Sequence, residues 1–469
     1  MYRSLAVLAA SALLAVAVAG SAVAQGFSVN EHGSCVMARG GTGVASPCSD
    51  GSTILFNPSG IAGTSGITFS AGVTPIGAYG SFTDDLTQSV NDIQNDIVPV
   101  PHAYLVYGVN ENLAVGFGFF VPYGLGTKWE DTFEGRFNGY DNDLQSMYFQ
   151  PTIAFQPNDM LKIGAGLNYV RGKVKLTQRV DLSEFEVQEG VTFGMLGIPF
   201  HTDLANAALD ASGASGWGGN FGITVQPVDG ISFGVRYMMK VDLEYEGDVV
   251  FESIPTGIVL PPQNPLSVAL GLDPANPLPL DNVLAANNLF DAGGPLEDQA
   301  VTTAITMPAQ LVAGVALDVT PSVKFLFDWQ YIDWTVFDTL TVNFSSAETP
   351  DRVLEESYEA TNGFRFGLDI TASDALSLRG GYLYHKGAAP PQNVTPLLPE
   401  GTRNEFTVGF GYRLGGRASV DFAYQYLKQN DRRGRVREPV EGNSPTVDLN
   451  SGLYKFYGHL FGVTLAVHF

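Results

Sequence analysis

From Ile67 to the terminal Phe469 the chain is written in short stretches that alternate apolar and polar residues, and this period of two commits it to strands. In one stretch Ile231, Phe233, Val235, Tyr237, Met239, Val241 and Leu243 fall on one side, with Ser232, Gly234, Arg236, Lys240, Asp242 and Glu244 on the other. Phe406, Val408, Phe410 and Tyr412 oppose Thr407, Gly409, Gly411 and Arg413 in the same way. The last stretch, Phe461, Val463, Leu465, Val467 and Phe469, ends on Phe, as do final strands that the outer-membrane assembly machinery recognises. Alternation alone fits a water-soluble sandwich equally well, with its apolar face turned inward.

Connection lengths separate the two. Turns near Asn110-Glu111, Pro157-Asn158-Asp159, Pro227-Val228-Asp229, Thr320-Pro321, Ser373-Asp374 and Gly415-Gly416 are short, whereas alternation is lost for long spans in between. Short turns at one end and long loops at the other are the habit of outer-membrane barrels. The expected fold is therefore all-β: a transmembrane antiparallel β-barrel of about 14 strands. The proline-rich stretch from Pro255 to Pro295 excludes strand and is expected to be an irregular external loop.

The N-terminus agrees with a secreted protein. Arg3, an apolar run from Leu5 to Ala19 and the small residues Ala22-Val23-Ala24 read as a signal peptide at residues 1–24. The run is shorter than the roughly 20 residues of a spanning helix, and no later stretch reaches that length, so a membrane role requires strands. Residues 25–66 are rich in Gly and Ser and precede the first strand, as a loose tail or as a plug inside the barrel of residues 67–469. Cys35 and Cys48, the only cysteines, are expected to form a small disulfide loop in an oxidising compartment. A metal or catalytic thiol pair would call for closer spacing and accompanying histidines. A net charge of -23 argues against nucleic acid; acidic loops on an outer membrane would face lipopolysaccharide through divalent cations, and a negative charge equally serves plain solubility. None of the six histidines stands in a nucleophile or metal motif, so neither enzyme activity nor a metal or cofactor is expected.

Several local sequences, taken in order, resemble one family. Gly26-Phe27-Ser28-Val29-Asn30-Glu31, Ala38-Arg39-Gly40-Gly41 and Phe56-Asn57-Pro58-Ser59-Gly60 open the series. Phe120-Val121-Pro122-Tyr123-Gly124-Leu125-Gly126-Thr127 with Trp129, Trp334-Thr335-Val336-Phe337 and the loop from Pro390 to Arg403 continue it. Together they resemble the FadL family of outer-membrane transporters for long-chain fatty acids and aromatic hydrocarbons. Ser59 stands where the family usually has Ala.

The resemblance implies a plugged fourteen-stranded barrel, a monomer working among outer-membrane lipid and lipopolysaccharide of a Gram-negative cell. It implies long-chain fatty acids as cargo, with monoaromatic hydrocarbons or general diffusion as alternatives. Asn57, Pro58 and Ser59 should lie beside the strand from Leu113 to Val121, whose inward kink opens the wall for lateral release. Gly116 and Gly118 suit such a kink, although glycine is frequent throughout the chain. The resemblance places a ligand cation at Arg171; strict period two turns Arg171 outward with Leu167 and Tyr169 unless a bulge reverses the parity. Arg379 is a second candidate, or else it pairs with lumen acids such as Asp369 and Asp421. Phe193, Leu196 and Phe200 either form a first collecting groove or pack their loop on itself.

Overall fold

The computed structural model describes residues 27–85, 87–188, 190–347, 349–434 and 451–469. The expected signal peptide at residues 1–24 lies outside the described residues. Fourteen strands form the wall: β1 (Ile67–Asp84), β2 (Val98–Gly108), β3 (Leu113–Lys128), β4 (Asp141–Asn158), β5 (Leu161–Asp181), β6 (Asp203–Val228) and β7 (Ile231–Met238, resuming as Val241–Ser253) make up the first half. The second half is β8 (Gln299–Met307 and Gln310–Thr320), β9 (Val323–Ile332 and Thr339–Phe344), β10 (Thr361–Thr371), β11 (Leu376–His385), β12 (Arg403–Leu414), β13 (Ala418–Gln429) and β14 (Gly452–His468). All neighbours are antiparallel, and β14 closes on β1 from Thr68↔His468 to Asp84↔Gly452. Closure matters because an open sheet edge in lipid would leave backbone polar groups with nothing to bond.

The period of two is realised inside out. Phe69, Leu105, Ile153, Phe406 and Phe461, each between 45% and 55% exposed, stand on the outer face. Ser70, Asn168, Thr224, Arg236, Gln330, Arg365, Glu405 and Gln425 are buried on the inner one. A sandwich dissolved in water would reverse these faces, so this distribution decides between the two architectures. Aromatic pairs such as Tyr79 stacked on Tyr457 (5.4 Å) mark the upper rim of the apolar belt, where a ring with a polar tip suits the lipid headgroups.

The expected short turns all connect strands at one end. The seven long connections gather at the other, although the strands run further into them than loss of alternation suggested. The proline-rich connection is a correction: residues 254–298 are not irregular. They carry two short helices, α1 (Pro265–Ala269) and α2 (Leu280–Ala286). Asn264 caps α1 by accepting the Ser267 N–H at 2.8 Å, and Pro265 sits in the first turn, where no N–H is needed. Leu260, Leu266, Leu280, Leu284 and Leu296 then pack with Leu182, Phe193, Ile198 and Leu204 of the β5–β6 side into a core of their own.

Candidate functional site

Residues 27–66 pack within the ring of strands, and three kinds of contact seat them. The first is charge against backbone dipole. The Asp328 carboxylate accepts the Gly43 and Val44 N–H groups at 2.9 and 3.2 Å. Arg365 donates to Gly41 O at 3.3 Å and to Asn30 Oδ1 at 2.9 Å, and Arg236 donates to Leu55 O at 3.2 Å. Fixed donors and acceptors on a closed wall thus satisfy backbone groups that a helix-poor segment would otherwise leave unpaired. The second is close approach: a Cβ added to Gly164 would sit 2.4 Å from the Pro58 carbonyl carbon, and one on Gly222 would strike Asn57 Oδ1 at 1.9 Å. The third is covalent, the Cys35–Cys48 disulfide with Cα atoms 6.3 Å apart, which staples the segment to itself.

Asn57 is the hub of the second group. Its amide nitrogen lies 2.6 Å from Val44 O and 3.1 Å from Thr224 Oγ1, while its Oδ1 accepts from the Ser59 N–H and hydroxyl. This corrects the expected location. Asn57, Pro58 and Ser59 face β5 and β6, and it is Ile54 that meets β3, through the space left by Gly116 and Gly118.

Gly116 and Gly118 are not the kink either. Both remain in register, opposite Val106 and Tyr104 of β2 and opposite Thr152 and Gln150 of β4. The irregularity comes just after them. From Phe120 to Tyr123 the chain advances three residues while β4 advances two, from Tyr148 to Ser146, so β3 carries one extra residue at Val121-Pro122. Beyond Phe119, β3 no longer pairs with β2. It pairs with the start of the interior segment instead: Val29 N–H donates to Pro122 O at 2.9 Å, and Gly124 N–H donates to Phe27 O at 3.1 Å. A residue without an N–H at the bulge makes departure from the ladder cheap.

The consequence is a split in the wall. Val98 to His102 of β2 still pair with β1, from Ile76 to Gly72, but face no strand on the β3 side. The same stretch of β1 pairs with Leu460 to Thr464 of β14, whose outward Phe461 and Val463 belong to the apolar belt. The split therefore opens at the height of hydrocarbon.

Behind the split lies a cavity of about 720 Å³, walled mainly by apolar side chains including Ile76, Val98, Val100, Val121, Leu144 and Leu460. Its size is that of a small-molecule site. Phe27 closes its inner end, with its ring edge-on to Trp334 at 4.5 Å; Trp334 projects inward because β9 is interrupted there by a single 3-10 turn, Trp334–Val336. Five carboxylates line the cavity, Glu31, Asp96, Asp141, Asp143 and Glu400, against two cations, Lys128 and Arg403. Asp143 is paired with Lys173 at 3.0 Å, and Glu400 accepts the Ala388 and Ala389 N–H groups. Burial and the neighbouring Glu405 carboxylate push Glu31 above the usual carboxylate range.

The residues expected to hold ligand do not converge on this cavity. Arg171 is on the outer face, opposite Met147 of β4 and Ser215 of β6; the nearest irregularity, between Gly172 and Lys173, places its extra residue, Gly213, on β6 and leaves the parity of β5 unchanged. Arg379 is held between Asp369, at 3.2 Å, and Asp421, and Asp369 in turn meets Arg39 of the interior segment. Phe193 is buried in the loop core with Leu196 packed against it, and Phe200 stacks on His201 at 3.9 Å; the loop packs on itself. Sequence reading passed over the cavity's own residues. One signal was present: Pro99 and Pro101 lie in β2 and have no N–H to give. Since Pro99 sits opposite Pro75 of β1, their bare nitrogens fall on the β3 side.

A closed fourteen-strand barrel that is apolar outside, filled inside and split at belt height defines an outer-membrane transport barrel. The chain belongs to the family described as "Outer membrane protein transport protein (OMPP1/FadL/TodX)", which matches residues 15–469. It is 22% identical to "Outer membrane protein P1" of Haemophilus influenzae over 98% of each chain. It is 23% identical to the "Long-chain fatty acid transport protein" of Escherichia coli K12 over 94% of each. Among solved structures, a FadL homologue of Pseudomonas aeruginosa superposes with a TM-score of 0.73 at 18% identity, covering 95% of this chain and 100% of that one. The toluene transporter TodX of Pseudomonas putida superposes at 0.66 and 18%, covering 94% and 99%. The protein is thus an outer-membrane transporter of hydrophobic substrates and not an enzyme.

Proposed function

We propose that small hydrophobic molecules enter the cavity from outside and leave it sideways, between β2 and β3, into the membrane, while residues 25–66 act as a plug that denies them and water a straight path. The observation that carries this reading is the position of the split: it joins an apolar cavity to the apolar belt. A hydrophobic molecule crossing bulk water forfeits about 25 cal/mol for each Å² of apolar surface it exposes, and a sideways route avoids that loss.

Long-chain fatty acids were the cargo implied by sequence resemblance, with monoaromatic hydrocarbons as the alternative. The cavity favours the alternative. Its lining carries five carboxylates, of which Asp143 and Glu400 are paired with Lys173 and Arg432, against two cations, Lys128 and Arg403, and Arg171 lies outside it. A fatty-acid anion would have to approach that excess in a medium where charges are poorly screened. Cells lacking endogenous hydrophobic uptake and expressing the chain are expected to accumulate labelled toluene several-fold above vector controls, and oleate much less. Equal import of neither would overturn the transport of these classes; oleate exceeding toluene would overturn the cargo assignment.

A further inference from the structure

We infer that the outer face of β5 is a docking site for lipid A, the phosphorylated disaccharide anchor of lipopolysaccharide, with Arg171 as its principal phosphate ligand and Lys175 as a second. The inference goes beyond the uptake reading and does not depend on it.

Arg171, Lys173 and Lys175 follow one another on the outward side of β5, a concentration of cations in a chain of net charge -23. The two lysines are paired, with Asp143 and Asp210. Arg171 is exposed and, among the described residues, has no ion pair. Its cross-strand partners are Met147 and Ser215, and the next outward residues on those strands are Gln145, Phe149, Ser212 and Trp217; none is a carboxylate. A bare guanidinium facing lipid is costly at mid-bilayer and cheap only at the headgroups. The neighbouring rings show that Arg171 stands at that level. Phe119–Phe149 (5.2 Å), Phe149–Tyr169 (6.4 Å) and Tyr169–Trp217 (4.9 Å) form a row across β3 to β6, and Arg171 lies just past Tyr169 toward the long-loop end. Rows ending in Tyr and Trp mark the edge of the hydrocarbon.

On the other side of the row, Ile163, Leu167, Phe221 and Ile223 face outward, each between 42% and 52% exposed. The face therefore has the order of an anionic lipid: apolar surface for acyl chains, rings at the boundary, cations beyond them. Arginine's planar fork of donors matches phosphate in two-pronged geometry. Arg171 and Lys175 are about 13 Å apart along an extended strand, a spacing for a headgroup with a phosphate at each end of a sugar pair and not for a glycerophospholipid with a single one. The long-loop end is the outer leaflet, where lipid A resides. The docked lipid also borders the exit, since Met147, opposite Arg171, and Phe119, at the end of the ring row, both line the cavity behind the split.

The test titrates the full mature chain in detergent with diphosphoryl lipid A and, separately, phosphatidylglycerol, and reads bound lipid by native mass spectrometry. Lipid A is expected to bind several-fold more tightly than phosphatidylglycerol. Arg171→Gln should weaken lipid A roughly fivefold, and Lys175→Gln by a smaller factor because Asp210 already competes for that charge. Arg171→Lys should fall between parent and Arg171→Gln, since it keeps the charge and loses the fork. Lys240→Gln, which removes an exposed cation on β7 paired with Asp242, should leave binding unchanged. Heat-modifiable migration verifies that each variant is a folded barrel. Lipid A binding that survives Arg171→Gln, an equal loss from Lys240→Gln, or phosphatidylglycerol bound as tightly as lipid A would each overturn the inference, and none of these results bears on uptake.

Discussion

Deleting Pro122 is expected to lower uptake of hydrophobic cargo roughly tenfold or more while leaving a folded barrel. The count along the strands gives the reason. Between Phe120↔Tyr148 and Tyr123↔Ser146, β3 has one residue too many for β4. Removing Pro122 restores equal spacing and replaces a position without an N–H by one that has it. With the bulge gone, β3 stays in step with β4 and is drawn toward Val98 to His102 of β2, which narrows the split even though Pro99 and Pro101 still offer it no N–H. The Pro122 carbonyl that holds the Val29 N–H is lost as well, so the interior segment loses its lever on β3. Heat-modifiable migration on gels would show that the barrel is intact. Uptake equal to that of the parent chain, in a variant so verified, would mean that the split is not the exit.

Removing residues 26–66 is expected to raise single-channel conductance by roughly an order of magnitude or more, turning a nearly silent barrel into an open pore. The wall does not depend on this segment for its ladder, which closes from β14 to β1 on its own backbone hydrogen bonds. What the deletion exposes is Arg236, Asp328, Arg365 and Gln330, groups that water can solvate once Leu55, Gly43, Val44 and Gly41 no longer occupy them. The result is a polar-lined channel. If the parent chain already conducts as freely as the deletion, the segment is not a plug and a general diffusion porin is the better description.

The fold was legible in the sequence because it rests on two regularities that one chain displays openly, a period of two and an alternation of turn lengths. The site was not, because it rests on departures from them. Arg171 illustrates the difference. Its parity placed it outside, and only family resemblance drew it inward; the nearest bulge adds its residue, Gly213, to β6 and leaves the alternation of β5 intact. The kink was sought at glycines, which tolerate it, but Gly116 and Gly118 proved to be spacers for Ile54, and the bulge formed at Val121-Pro122, where proline withholds an N–H. Pro99 and Pro101 carried the same message for the facing strand.

The central claim, that cargo passes through the split and not through the floor of the barrel, is tested most directly by photolabelling. A diazirine-bearing alkylbenzene is loaded on the parent chain in nanodiscs, illuminated, and its adducts mapped by peptide mass spectrometry, with and without excess unlabelled cargo. The account predicts adducts that cargo competes away on Val100, Phe119 and Val121, the residues flanking the split. Adducts concentrated instead on Ser46, Ser232 and Lys324, which line a separate cavity of about 200 Å³ at the short-turn end, would contradict it.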